Sequence, residues 1–285
     1  MSHILLDSGD PQETQEILQL LSAANPPRTL HGQTTNPTLV SKNPYASERV
    51  AKGEKFTKHE LLEFYKQVIQ DISKLIPNGS VSIEVYADHE TTAAQMIAQA
   101  EEMWSWISNA HIKLPTTTEG LKAARQLIDK KMRVNMTLVF SQQQAAAVYA
   151  ATTGAKKGDV FLSPFIGRLD DIGQNGMDLI ANILKMYKSG DGHVEVLTAS
   201  VRSIEHFQAA LKLNSDIITS PQKILKPWAE SGAKIDANFI YSPQNLTPIA
   251  YEEITLNKDW NEYDIAHELT DKGVTSFTND WNNLL

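Results

Sequence analysis

Short apolar segments alternate with helical patterns along most of this chain of 285 residues, and this alternation is the feature that most limits its fold. Strands separated by helices must pair in parallel, because only a connection long enough to hold a helix returns the chain to the same end of a sheet. The segments predicted as strands are 4–6, 29–31, 81–85, 110–114, 134–139, 160–162, 194–198 and 216–219. Helical patterns follow them at 11–24, 58–76, 89–106, 118–130, 142–152, 177–188, 203–212 and 221–230.

Two of these helices carry recognisable start signals. Asp10 suits the N-cap of the first helix, Pro11 its first helical position, and Glu13 its electropositive first turn. The second helix begins with a capping box, Thr57-x-x-Glu60, and its apolar residues then recur at helical spacing. The helical segments are therefore predicted from local chemistry as well as from periodicity.

Eight strand–helix units are the number that closes a (β/α)₈ barrel, so the sequence predicts an α/β protein with the TIM-barrel fold. An open doubly wound sheet is the alternative, but the first strand is not followed by its Gly-x-Gly-x-x-Gly turn. Residues 232–285 do not follow the strand–helix alternation and are interpreted as a loop and additional C-terminal helices, packed on the barrel or on a neighbouring subunit. No Pro-, Gly- or Ser-rich linker interrupts the chain, so residues 1–285 are predicted to form a single domain.

Composition excludes several classes of function. The formal charge is 26 − 34 = −8, which opposes broad nucleic-acid binding but leaves room for small phosphorylated ligands. No apolar run is long enough to cross a bilayer, and the first residues lack the features of a signal peptide, so a cytoplasmic protein without membrane contact is expected. The absence of cysteine removes disulfides, zinc–thiolate sites and thiol catalysis.

Polar residues stand at the ends of seven of the eight predicted strands. In a barrel of this kind the chemistry is carried at the carboxyl-terminal ends of the strands, so these residues are predicted to meet at one rim. They are Asp7, Asn36 in the segment after strand 2, Glu84, Lys113, Asn135, Thr137, Ser163, Arg168, Ser200 and Arg202.

Each of these residues has an ordinary structural explanation. Lys113 could reach solvent, Asp7 could cap the following turn, and the arginines could form surface ion pairs. Glu84 is harder to explain in this way, because a carboxylate within an apolar strand costs several kcal/mol unless it is paired or neutralised. The joint occurrence of these residues at one rim favours a catalytic site.

The residue types indicate a reaction. Desolvation disfavours the ammonium form of a lysine, and a neutral lysine amine attacks ketones to form a Schiff base. A nearby carboxylate can remove the hydroxyl proton when the adjacent carbon–carbon bond breaks, and two arginines with a serine can hold a phosphate. These features describe an aldol reaction on a phosphorylated sugar that needs no metal or other cofactor. The eight histidines show no metal-binding spacing, and His111, on the strand face of Lys113, is interpreted as a core histidine rather than a residue that tunes the pocket.

Six segments resemble the transaldolase family. They occur in the family's order and run from the first strand to the seventh: 6–10 (LDSGD), 34–40 (TTNPTLV), 112–115 (IKLP), 134–141 (VNMTLVFS), 162–168 (LSPFIGR) and 199–202 (ASVR). The resemblance implies a transferase of the pentose phosphate pathway. Such an enzyme moves a dihydroxyacetone unit between ketose phosphates (sedoheptulose 7-phosphate, fructose 6-phosphate) and aldose phosphates (glyceraldehyde 3-phosphate, erythrose 4-phosphate).

The resemblance also implies a role for each residue. Lys113 matches the Schiff-base lysine, Asp7 the carboxylate that takes the C4 hydroxyl proton, and Glu84 the carboxylate that moves protons with a bound water and Thr137. The groups that would hold the three-carbon unit are Asn36, Asn135 and Ser163. Those that would hold the phosphate are Arg168, Ser200 and Arg202.

A related branch, fructose 6-phosphate aldolase, releases free dihydroxyacetone. Members of that branch typically carry Gln at the position of Glu84 and Tyr at the position of Phe165, so both positions here follow the transaldolase pattern. An aldolase of this kind and a non-catalytic sugar-phosphate binder are the alternatives. The expected partners are small sugar phosphates, and the sequence leaves a homo-oligomer open.

Overall fold

A computed structural model describes residues 2–236 and 238–285. The described residues form eight parallel strands that close into a barrel in sequence order, with β8 paired to β1. The (β/α)₈ fold predicted from the alternation is therefore confirmed. The strands are β1 (His3–Asp7), β2 (Gly32–Thr34), β3 (Ser80–Glu84), β4 (Ala110–Pro115), β5 (Val134–Val139), β6 (Val160–Pro164), β7 (Val194–Thr198) and β8 (Ile217–Ser220).

The helices surround this barrel, and the buried faces of most of them form an apolar core with the strands, while Ala46, Phe56, Leu61 and Leu284 form a second, smaller cluster. Within the described residues they are α1 (Pro11–Ala23), α2 (Pro37–Ser41), α3 (Pro44–Ala51), α4 (Lys58–Leu75), α5 (Ala93–Trp104), α6 (Thr118–Asp129), α7 (Gln142–Ala151), α8 (Ile166–Asp170), α9 (Gly176–Tyr187), α10 (Ile204–Lys212), α11 (Gln222–Glu230) and α12 (Glu268–Asn282). A 3₁₀ turn covers Trp260–Glu262.

The predicted start signals of α1 and α4 are confirmed. The Asp10 side chain accepts a hydrogen bond from the backbone N–H of Gln12, and proline occupies the first turn of α1. Thr57 and Glu60 form a complete capping box at α4. These contacts satisfy backbone donors that a helix leaves unpaired at its first turn.

The second strand was predicted at the wrong place. It covers Gly32–Thr34, whereas the apolar pattern had indicated 29–31. Strand β2 is polar in sequence but buried, and its central side chain, Gln33, is fully bonded: Nε2 donates to the carbonyl of Ser8 at 2.8 Å and Oε1 accepts from Thr14 Oγ1 at 2.6 Å. Because these bonds offset the cost of burial, hydropathy does not reveal the strand.

The C-terminal segment contributes α12, which lies against the carboxyl-terminal end of the barrel. Thr270 Oγ1 donates to the carbonyl of Leu138 at 2.9 Å, across a point where β5 is irregular and Leu138 has a φ of 61°. A glycine permits the close approach, because a Cβ at Gly273 would lie 2.5 Å from Cδ2 of Leu138, a side chain that is fully buried. Helix α12 therefore covers part of the rim at which the polar residues were predicted to meet.

Candidate active site

A buried ion pair lies at the ends of β3 and β4. Glu84 and Lys113 are register partners on these adjacent strands, so their side chains begin at the same height in the barrel. Lys113 Nζ is 2.8 Å from Glu84 Oε2 and donates to the carbonyl of Thr35 at 3.1 Å. The two side chains are only 3% and 4% exposed, so the charges interact almost without screening by water.

Burial raises the pKa of the Glu84 carboxyl above its usual value, and the charges of Lys113 and Arg168 oppose that rise. The carboxylate of Asp7 adds to it. A carboxyl whose pKa is raised by burial holds a proton more readily than an exposed glutamate does, which suits Glu84 to take up and return a proton as a general acid–base.

A second carboxylate, Asp7, stands at the end of β1. Its Oδ1 accepts a hydrogen bond of 2.6 Å from Thr34 Oγ1, and that hydroxyl is also 2.6 Å from the hydroxyl of Thr219. Burial raises the pKa of Asp7, while the nearby charge of Lys113 and the bond from Thr34 lower it. Asp7 is therefore a second group suited to proton transfer, positioned by its neighbours on β2 and β8.

The remaining strand-end residues form a short hydrogen-bonded chain. Asn135 is the register partner of Lys113 on β5. Its Oδ1 accepts from Ser163 Oγ at 2.7 Å, and its Nδ2 donates to Ser82 Oγ at 3.0 Å. These two bonds fix the orientation of the amide. Thr137 lies buried on the same strand, and its hydroxyl has no hydrogen-bond partner within the described part of the chain.

A cavity of about 590 Å³ opens over these groups. Asn36 lines it at the start of α2, where its Oδ1 caps the helix by accepting from the backbone N–H of Leu39 at 2.9 Å. Glu84, Asn135 and Thr137 are not part of this wall and lie behind it. The predicted residues that line the cavity are Asp7, Asn36, Lys113, Ser163, Phe165, Arg168, Ser200 and Arg202.

Two cations stand at the outer part of the cavity. The Arg168 guanidinium lies over the rings of Phe165 and Phe277, 5.4 and 5.2 Å from their centroids. Arg202 forms an ion pair with Asp171 at the surface. Both arginines can bind an anion, because each guanidinium carries several donors in a planar array.

The sequence reasoning missed Phe277, which reaches the cavity from α12 and places its ring centroid 5.9 Å from Lys113 Nζ. Phe277 could not be identified from the polar residues at the strand ends, because it lies on a C-terminal helix. Tyr65 was also missed, since it belongs to the apolar pattern of α4. The Tyr65 hydroxyl accepts from the backbone N–H of Glu84 at 2.9 Å and is 2.8 Å from the hydroxyl of Thr35. It therefore links the end of β3 to the residue after β2, whose carbonyl accepts from Lys113.

His111 lies away from this site, as the core interpretation expected. Its ring stacks on Phe161 at 4.0 Å, and Nε2 is 2.9 Å from the carbonyl of Gly158. Burial lowers its pKa to about 3, so the ring is neutral. Among the described residues, no cluster of three or more His, Asp or Glu side chains could hold a metal ion, and no helix could span a membrane.

The chain is similar to known proteins over nearly its whole length. Residues 4–285 match the model of the family described as transaldolase/fructose-6-phosphate aldolase. A probable transaldolase of Dehalococcoides mccartyi is 36% identical over 234 residues, covering 80% of this chain and 93% of the relative. Probable transaldolases of Lactiplantibacillus plantarum and Brucella ovis are 34% and 33% identical over 250 and 276 residues. The alignments cover 88% and 97% of this chain, and 86% and 94% of the relatives.

Proposed function

Because the chain belongs to the transaldolase/fructose-6-phosphate aldolase family, we propose that it is a transaldolase that works through a Schiff base on Lys113. Its donor would be fructose 6-phosphate or sedoheptulose 7-phosphate, and its acceptor erythrose 4-phosphate or glyceraldehyde 3-phosphate. The observation that carries the proposal is the buried Lys113–Glu84 pair at the base of a cavity with two arginines at its outer part.

The first step forms the covalent bond. Glu84 takes a proton from the Lys113 ammonium, 2.8 Å away, and the neutral amine attacks the C2 carbonyl of the ketose, whose oxygen receives that proton to become a hydroxyl. Glu84 then moves a second proton from nitrogen to this C2 hydroxyl, which leaves as water while the C=N bond forms. Thr137, with its unpaired buried hydroxyl, is suited to hold that water.

The second step breaks the C3–C4 bond. Asp7 removes the proton of the C4 hydroxyl, the C4–O bond becomes a carbonyl, and the electron pair of the C3–C4 bond moves into the iminium. The products are a free aldose phosphate and an enamine on Lys113. Ser163 and Asn36, which line the cavity, would contact the hydroxyls of the retained unit, and Asn135 would orient the Ser163 hydroxyl from behind the wall.

Transfer requires that an acceptor aldehyde arrives before the enamine is protonated. Phe165 contributes no hydroxyl beside the retained unit; its ring centroid is 6.0 Å from Lys113 Nζ. Slow protonation favours a transferase over an aldolase that releases dihydroxyacetone. Arg168, Ser200 and Arg202 would bind the phosphate of donor and acceptor in turn.

The test combines covalent trapping with turnover. Incubation with fructose 6-phosphate and borohydride should reduce the iminium to a stable adduct on Lys113, and Lys113→Met should abolish it. Lys122→Met is the matched control, because Lys122 is half-exposed and pairs with Glu119 on α6. An adduct mapped to another lysine would contradict the mechanism.

Turnover of fructose 6-phosphate is then measured with and without erythrose 4-phosphate. Turnover that depends on the acceptor supports the transferase. Release of dihydroxyacetone at an equal rate without acceptor would make the protein an aldolase, and binding without turnover would make it a sugar-phosphate binder.

A further inference from the structure

The two segments that carry the cavity arginines are joined by their backbones. The N–H groups of Ile166 and Gly167, at the start of α8, donate to the carbonyls of Ala199 and Ser200 at 3.1 Å each. A Cβ at Gly167 would lie 2.5 Å from the backbone carbonyl oxygen of Ser200, so glycine is required for this contact. Segment 199–202 therefore lies directly against α8.

A buried side-chain pair links the same two segments at their far ends. His206 Nε2, on α10, is 2.8 Å from Asp170 Oδ2 at the end of α8, and the two side chains are 10% and 19% exposed. The second carboxylate oxygen accepts from the backbone N–H of Gly176 at 2.9 Å. On the other side of the ring, His206 Nδ1 accepts from the backbone N–H of Arg202 at 3.4 Å.

This arrangement permits one tautomer of the ring. Nδ1 must be unprotonated to accept from Arg202, so the ring proton is on Nε2, where it is donated to Asp170. The carboxylate thus selects the tautomer, and the tautomer holds the backbone of Arg202. Segment 199–202 needs such support, because Ser200 has a left-handed φ of 59°, which a non-glycine residue adopts only when its surroundings enforce it.

We propose that Asp170 and His206 are positioning residues for the phosphate site: without touching substrate, they fix the backbone from which the Ser200 and Arg202 side chains reach the phosphate. This inference rests on the proposed function, in which those side chains bind the sugar phosphate. It assigns a role to the Asp170-Asp171 sequence, since Asp170 orients the histidine while Asp171 pairs with the Arg202 guanidinium.

Asp170→Asn is the sharpest variant. The asparagine carbonyl can still accept from Gly176, but its NH₂ group then faces His206 Nε2. The ring must accept at Nε2 and carry its proton on Nδ1, where it opposes the N–H of Arg202. A change of one oxygen to nitrogen, far from the covalent step, is therefore expected to disturb the phosphate site.

The first readout is borohydride labelling of Lys113. In Asp170→Asn and in His206→Ala, we expect the fructose 6-phosphate concentration for half-maximal labelling to rise about five- to tenfold, the range of one lost hydrogen bond. The corresponding value for dihydroxyacetone, which carries no phosphate, should change less than about twofold. Equal effects on the two ligands, or no effect, would overturn the inference.

Two measurements separate this inference from the function. Calorimetric titration with inorganic phosphate needs no Schiff base, and binding should weaken about five- to tenfold in both variants. Absence of phosphate binding by the wild type would overturn the inference, whereas absence of Lys113 labelling in a protein that binds phosphate would overturn the function alone. The ¹⁵N chemical shifts of the His206 imidazole should report the Nε2–H tautomer in the wild type and the Nδ1–H tautomer in Asp170→Asn. A wild-type protein whose His206 carries its proton on Nδ1 would contradict the assignment.

His206→Gln and His206→Asn divide the two contacts. Glutamine places an amide donor near the position of Nε2 and keeps the contact with Asp170, whereas asparagine places an acceptor near Nδ1 and keeps the contact with Arg202. We expect asparagine to preserve phosphate binding better than glutamine, and the opposite order would refute a role through Arg202. Asp129→Asn, which removes an exposed pair with Arg125 on α6, is the matched control.

Discussion

Replacing His111 with glutamine should reduce the loss of unfolding free energy that this barrel undergoes when the pH is lowered. The buried imidazole is stacked on Phe161, and burial lowers its pKa from 6.5 to about 3. Between these two values the unfolded chain binds a proton that the native protein does not bind. Stability therefore falls as the pH is lowered through 6.5 and continues to fall until the pH reaches about 3.

The magnitude follows from the two pKa values. At pH 8 both states hold a neutral ring, so the residue contributes no pH dependence there. At about pH 5 the native ring is still neutral, while the unfolded ring is mostly protonated, and the linkage amounts to about 2 kcal/mol of lost stability. Glutamine can keep a donor near the carbonyl of Gly158 but cannot titrate.

Urea unfolding at these two pH values measures the effect. The loss of unfolding free energy between about pH 8 and pH 5 should be about 2 kcal/mol smaller in His111→Gln than in the wild type. Phe161→Leu is the matched control, because it weakens the stack but keeps the imidazole, and it should lower stability at both pH values alike. An identical loss in His111→Gln and wild type would refute the reasoning.

Three further outcomes are expected. Arg202→Ala should raise the KM for fructose 6-phosphate about ten- to a hundredfold, because a charge-assisted contact is worth ~1.5–3 kcal/mol. Labelling of Lys113 by dihydroxyacetone should stay near the wild-type level, and equal losses with the two ligands would make Arg202 a structural residue. Phe165→Tyr should place an O–H near the enamine and raise the ratio of released dihydroxyacetone to transfer product, and Glu84→Gln added to it should shift the ratio further; an unchanged ratio contradicts this interpretation. Gly273→Val should lower the free energy of unfolding, measured with urea, by ~1–3 kcal/mol, because a Cβ there would lie 2.5 Å from Leu138 Cδ2 and 2.9 Å from Arg168 Nη1. The control Ser276→Val, at an exposed position of the same helix, should have little effect.

The barrel could be predicted because its signal is repeated. Each apolar strand and each helical period is short, but eight of them in order leave few folds to choose from. The exception, β2, shows what such a pattern cannot detect. Gln33 is buried because two specific hydrogen bonds satisfy it, and those partners come from the distant residues Ser8 and Thr14.

The centre of the candidate site could be predicted for a related reason. Glu84 and Lys113 end neighbouring parallel strands, so the topology alone brings them to the same rim, and the register then sets Nζ 2.8 Å from Oε2. Phe277 could not be predicted, because α12 belongs to a segment without the strand–helix rhythm. Its position depends on how Gly273 and Thr270 seat that helix on β5.

In the proposed mechanism, the covalent step and phosphate recognition are supported by different parts of the fold. Burying Lys113 with Glu84 removes two charges from water, and the attraction within a buried pair often does not offset that cost, so stability alone is a weak reason for the pair. The two residues are register partners on β3 and β4. The proposed phosphate site instead lies on segments 166–171 and 199–206, which are joined by the backbone hydrogen bonds of Ile166 and Gly167 and by side-chain contacts such as Asp170–His206. Substitutions in those segments are therefore expected to change which phosphorylated substrates bind and to leave the ion pair on β3 and β4 intact.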